Sequence, residues 1–149
     1  MLKKNEKGFT LIELVIVIVV LGILAAFAVS RYTNMAQSAR IAAVNGLAGG
    51  LRGAVAVVQG QYLITGNIGA TGTPVTMLDG TTVAVSIGAA GGIPTGAAAG
   101  IGAAIRDYSG FTPTWGAPTL FWPTNGGSAT CQASYAPATG IVTVTTTGC

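Results

Sequence analysis

The sequence contains no histidine among its 149 residues. That excludes a Ser-His-Asp triad and every histidine metal site. Lysine stops at Lys7, so the glycine-rich stretches lack the lysine with which a P-loop grips phosphate. Carboxylates are as scarce: beyond Glu13 there are only Asp79, in a turn dipeptide with Gly80, and Asp107, beside Arg106. Two such residues are a poor basis for a paired-carboxylate hydrolase or an acidic calcium cage. Charged residues make up 7% of the chain, and the net charge of +3 comes largely from the first seven positions, where Lys3, Lys4 and Lys7 oppose Glu6. From Gly8 onward Arg31, Arg40, Arg52 and Arg106 stand against Glu13, Asp79 and Asp107. The pI of about 9.1 thus reflects no clustered basic face, and nucleic acid is not an expected partner. The inventory points away from an enzyme and implies no cofactor and no metal.

Proline is absent before Pro74. Within that stretch, Phe9 to Ser30 carries one charge, Glu13, and as a helix would span roughly 33 Å, enough for the roughly 30 Å hydrocarbon core of a bilayer. A cleaved secretory signal usually has a shorter apolar region, of about 7 to 15 residues. Lys3, Lys4 and Lys7 should keep the N-terminus in the cytoplasm. From Arg31 to about Tyr62 the spacing of Ile41, Val44, Leu47, Leu51, Val55, Val58 and Tyr62 predicts an amphipathic continuation with one apolar stripe. A single helix from Phe9 to about Gly60 would be roughly 78 Å long. Gly46, Gly49, Gly50, Gly53 and Gly60 lie on its second half at a cost of roughly 0.8 to 1 kcal/mol each relative to alanine. They fit either close approach of another helix in the small-xxx-small pattern or tight packing of a sheet or loop from the same chain.

"TGNIGATGTP" reads as a loop. "VTMLDGTTVAVSI" reads as a hairpin whose Asp79-Gly80 dipeptide favours a type I′ turn. "TGAAAGIGAAIRDY" suggests a short helix, and "TLFW", "ATCQASY" and "GIVTVTTT" suggest three further strands. The expected fold class is α+β: a long N-terminal helix, hydrophobic in its membrane half and amphipathic in its second half, packed on a small antiparallel sheet. Phe111, Trp115, Phe121, Trp122 and Tyr135 could form a ligand platform, but core filling accounts for them better. Two cysteines, Cys131 and Cys149, read as a disulfide in a chain that leaves the cytoplasm, with two free thiols as the alternative.

Glu13 is the anomaly in the apolar run. "KGFTLIELVIVIVVLGILAAFAV" resembles the class III signal of type IV pilins and pseudopilins: a short basic leader ending in glycine, then phenylalanine, then glutamate at the fifth mature position. The resemblance implies that residues 1-8 are a leader, that prepilin peptidase cuts between Gly8 and Phe9, and that the new N-terminal Phe9 is methylated. It implies an ion pair between Glu13 and a Phe9 amine, the chain's own or a neighbouring subunit's. The amine would be largely cationic at neutral pH, with a reference pKa of about 7.7 to 8.0. "SRYTNMAQSARIAAVNGLAGGLRGAVAVVQGQ" and the terminal "CQASY...GIVTVTTTGC" resemble the branch that includes the MSHA pilins. There Cys131 and Cys149 fall where the family closes its C-terminal disulfide loop, worth about 3 kcal/mol for a loop of this size. One departure is Ser30, at a position where the family commonly has proline; serine lacks the ring that breaks a helix.

On this resemblance residues 9-30 are the transmembrane and polymerisation helix and 31-149 the globular pilin domain. The implied partners are identical subunits in a helical filament, prepilin peptidase, the inner-membrane pilus assembly machinery, and the membrane itself before assembly. The implied location is the inner membrane as a single-pass protein and then the extracellular filament, with a role in surface attachment or motility. Two alternatives are a pseudopilin of a type II secretion system and a membrane-anchored binding module or enzyme that forms no polymer.

Overall fold

A computed structural model describes residues 8–65, 74–86 and 91–149. Residues 1–7 of the expected leader, most of the "TGNIGATGTP" loop and the last residue of the expected hairpin, Ile87, lie outside the described residues. The chain divides into two units, Met1–Gln37 and Ser38–Cys149.

Helix α1 runs over Leu11–Ile64. It passes Gly22 and Ser30 without a break, as a stretch with no proline and one isolated glycine can. In the first unit every large apolar side chain from Leu11 to Val29 is exposed; Leu11 and Phe27 are 81% and 73% accessible. Full burial of one such side chain is worth roughly 1.5–3 kcal/mol. Summed over this run, the penalty for facing water far exceeds the roughly 5–15 kcal/mol that holds a whole domain together. The first half of α1 therefore belongs in lipid or against other protein.

In the second unit the apolar stripe of α1 is buried: Val44, Leu47, Ala48, Leu51, Val55, Val58 and Tyr62, with Ile41 packed at its margin. Strands β3 (Phe111–Thr114), β4 (Thr119–Pro123), β5 (Gln132–Ala136) and β6 (Ile141–Thr145) form one antiparallel sheet in that order. Alternation sends Phe121, Ala133, Tyr135 and Val142 inward, where they share a core with the α1 stripe, Ile93, Ile101 and Ile105. Tyr135 donates its hydroxyl to the Pro94 carbonyl at 2.6 Å, so the largest buried side chain leaves no orphan donor.

Strand β3 is absent from the sequence reading because Pro113 demotes "FTPT". Its place at the sheet edge explains why it forms. Thr124 N–H donates to the Gly110 carbonyl at 2.9 Å, and the register Thr112↔Trp122, Pro113↔Phe121 then puts Pro113 at a non-bonded position. Its missing N–H is on the open side, where it also blunts the edge.

A separate hairpin, β1 (Val75–Thr76) with β2 (Thr82–Val83), covers the end of α1 through Val75, Val83 and Val85 against Val58 and Tyr62. Its turn is not the expected type I′, which needs positive φ at both central residues. Among the described residues no side-chain-bearing residue has positive φ, whereas Gly80 has φ 84°. The Gly80 N–H bonds the Met77 carbonyl at 2.9 Å and the Met77 N–H bonds Thr81 at 2.8 Å. The turn is centred on Leu78-Asp79, followed by a glycine bulge, the three-residue hairpin solution. The expected short helix is a π-helix over Ala98–Gly102.

The helix glycines decide against one of their two alternatives, tight packing of a sheet or loop from the same chain. A Cβ built on Gly46, Gly49, Gly53 or Gly60 would meet no atom within 4 Å, and on Gly50 only Ile105 Cδ1 at 3.8 Å. Among the described residues nothing from this chain packs tightly on them. Glycines that pack tightly on α1 are Gly91 and Gly92, where a Cβ would lie 2.8 Å from the Tyr62 side chain.

Candidate functional site

The N-terminal segment is where sequence reasoning placed the chemistry. Gly8 and Phe9 are exposed and precede the helix, with Phe9 83% accessible. Thr10 is the residue before α1, and Glu13 is the third helical residue. Their bonds are reciprocal. The Thr10 N–H and hydroxyl donate to Glu13 Oε2 at 2.9 and 2.7 Å, and the Glu13 N–H donates to Thr10 Oγ1 at 3.3 Å. This is a capping box: two of the four N–H groups that a helix start leaves unpaired are satisfied, and a carboxylate sits at the positive end of the helix dipole. The sequence reading took Glu13 only as an ion-pair partner. The signal it passed over was "TLIE", Thr-x-x-Glu ahead of an apolar run. Both bonds to the carboxylate fall on Oε2; among the described residues no bond reaches Oε1.

The second feature is the C-terminal loop. Cys131 and Cys149 are joined by a disulfide that encloses β5 and β6. The loop is tied to α1 by Arg40, half-buried, whose Nε donates to the Cys149 carbonyl at 2.7 Å, and Gly148 N–H donates to Thr130 at 2.9 Å. A few turns along, Arg52 donates to the Val142 carbonyl at 3.0 Å, serving an edge carbonyl of β6. Both arginines are structural ties, missed by a reading that counted them only as charge.

The aromatics do not form one platform. Tyr108, Trp115 and Phe121 meet edge-to-face, with centroids 6.0 to 6.2 Å apart, around a buried Phe121. Trp122 lies on the opposite face of β4. An open groove of about 620 Å³ lies beside α1, with Val57, Met77, Ala103 and Ile105 as apolar walls and Asp79 and Arg106 at the rim. Its ion pair is 3.7 Å long and exposed, a geometry that contributes little. A bond from the Thr81 N–H holds the Asp79 carboxyl below its ordinary value, and bonds from the Ser109 hydroxyl and N–H do the same for Asp107. Burial pushes the Tyr135 hydroxyl up. Among the described residues no group of three or more His, Cys, Asp or Glu side chains converges.

Residues 3–29 match the profile of the prokaryotic N-terminal methylation motif. The chain is similar to fimbrial protein EcpC of Eikenella corrodens, 51% identical over 55 residues, which is 37% of this chain and 36% of that one. It is 49% identical over 57 residues to the type IV narrow pilus major component PilA5 of Thermus thermophilus, covering 38% and 49% of the two. It is 40% identical over 81 residues to the type IV major fimbrial protein FimA of Dichelobacter nodosus, covering 53% and 51%. The chain thus spans about a third to a half of the length of the curated relatives it matches. No solved structure matches it. The capping box therefore lies inside the stretch that matches the N-terminal methylation motif. In its N-terminal sequence the chain is similar to type IV pilins, and its long apolar helix, antiparallel sheet and C-terminal disulfide are consistent with the α+β fold expected of them.

Proposed function

We propose that this chain is a structural subunit of a type IV pilus filament. The observation that carries the reading is the wholly exposed apolar run from Leu11 to Val29, inside the stretch that matches the N-terminal methylation motif and directly behind the expected cut between Gly8 and Phe9. Prepilin peptidase removes residues 1-8 between Gly8 and Phe9, and Phe9 is methylated. Residues 9-30 anchor the subunit in the inner membrane, N-terminus inward, until the assembly machinery draws it into a filament of identical copies. There the apolar helix exchanges lipid for neighbouring helices, and residues 31-149 form the globular domain. The filament would serve surface attachment or motility. Assignment to the MSHA branch rests on the segments quoted above.

The capping box supports a specific role for Glu13. Thr10 keeps its amide N–H after cleavage, so Oε2 stays occupied and Oε1 is open to the new Phe9 ammonium. Own-chain capping and a neighbour's amine can then use the two oxygens of one carboxylate. In a low-dielectric surrounding such a pair is strong, but desolvation cancels much of the gain, so its main yield is register. Glu13→Ala should still be cleaved and inserted but should enter filaments poorly; normal piliation of that variant by electron microscopy would refute the role. A pseudopilin would give short periplasmic fibres in place of surface filaments.

A further inference from the structure

The chain holds two Asn-Gly dipeptides, Asn45-Gly46 and Asn125-Gly126, in opposite environments. Asn45 is inside α1. There the Gly46 N–H is held in the helical ladder and the helical ψ keeps that nitrogen away from the Asn45 side-chain carbonyl carbon. Asn125 is exposed in the turn after β4, and Gly126 follows it with φ 78°. Among the described residues no hydrogen bond takes up the Gly126 N–H. A cation is seated against this turn: a Cβ on Gly126 would lie 3.2 to 3.4 Å from Arg40 Cδ, Nε and Cζ.

We propose that Asn125 is a self-modification site that converts with time to a carboxylate beside Arg40. The Gly126 nitrogen, losing its proton, attacks the Asn125 side-chain carbonyl carbon. The new N–C bond forms as the C–Nδ2 bond breaks, and Nδ2 leaves as ammonia with the proton. Water then opens the succinimide at either carbonyl, giving aspartate or isoaspartate with no redox partner. A guanidinium lying against the turn favours negative charge that develops there, as an opposite charge favours any charged form, so Arg40 assists the first step. It also receives the product: the new carboxylate is a charge-assisted acceptor in competition with the main-chain oxygen of Cys149 that Arg40 Nε now holds at 2.7 Å. The modification thus acts on the tie that fixes the disulfide loop to α1.

Arg40, Arg52 and Arg106 are tryptic sites, so the peptide Ile41 to Arg52 reports Asn45 and the peptide from Asp107 to the C-terminus reports Asn125. Full-length protein in detergent is incubated at mildly alkaline pH, and the NH-to-O mass change is followed in each peptide after reduction. Native protein should react at Asn125 roughly tenfold or more faster than at Asn45, because the helix must open first. In urea the two rates should converge, and Asn125→Gln should silence its peptide. Equal rates in the native protein, or an inert Asn125 where the unfolded chain reacts, would overturn the proposal. A double-mutant cycle of Asn125→Asp with Arg40→Gln reads the product contact. Non-additive urea midpoints are expected, and strict additivity would overturn the role given to Arg40.

Discussion

Replacing Cys131 and Cys149 together by alanine removes a crosslink whose sequence separation is 18 residues. In the chain-entropy account the bond acts on the unfolded chain, and a loop of this length is worth about 3 kcal/mol. Both sulfurs are buried, and the double alanine variant leaves no hydroxyl to strand in the core. The native loop keeps its other ties, Arg40 to the Cys149 carbonyl and Gly148 to Thr130, so the folded state should persist. For a slope of about 1.5–2 kcal/mol per molar urea the midpoint should fall by about 1.5–2 M. The assay is urea unfolding of the detergent-solubilised chain followed by tryptophan fluorescence. Reduced wild-type protein should match the alanine variant, since both free the same loop. A loss below about 1 kcal/mol would refute the entropic reasoning, because it is too small for a loop of this length. A reduced chain far more stable than the variant would assign the effect to sulfur packing.

Arg40→Leu removes a charged hydrogen bond to a half-buried carbonyl and should cost about 1.5–3 kcal/mol in the same assay; an unchanged midpoint would show that the loop is held without it. Asp79 and Asp107 both have carboxyls lowered from an ordinary 3.8 by bonds from Thr81 and Ser109. A depressed folded pKa contributes stability that is complete above the unfolded value and is lost as pH falls through the folded one. The two asparagine variants should therefore lose less stability than wild type as pH falls from above 3.8 through the lowered folded values, measured as urea midpoints across a pH series. Gly8→Ala should leave the precursor uncut, seen as a slower band on denaturing gels; a mature-sized product would remove the cleavage claim.

Much of the fold was legible because hydrophobic spacing is a long signal. The stripe from Val44 to Tyr62 is the buried face of α1; β6 falls within its predicted run, and β4 and β5 each overrun theirs by one residue, Pro123 and Ala136. Strand β3 was illegible because Pro113 is tolerated only at a non-bonded edge position, a property of the register and not of the local sequence. The hairpin was found but its turn mistyped, since Asp-Gly serves both a type I′ turn and a turn with a glycine bulge. At the N-terminus the lone charge of the apolar run points to a Phe9 amine, the chain's own or a neighbour's, whereas the partner on Glu13 is Thr10, three residues away. Arg40 and Arg52 could not be placed from sequence, because their acceptors are main-chain oxygens 109 and 90 residues distant.

The proposed function requires that residues 1-8 be removed by processing and that the apolar helix then leave lipid to be covered by copies of the same chain. Intact-mass measurement of the protein sheared from cell surfaces as filaments tests it most directly. The account predicts a chain beginning at Phe9, carrying one added methyl group and lacking two hydrogens for the Cys131 to Cys149 bond. A species that begins at Met1, or sheared filaments that do not contain this chain, would contradict it.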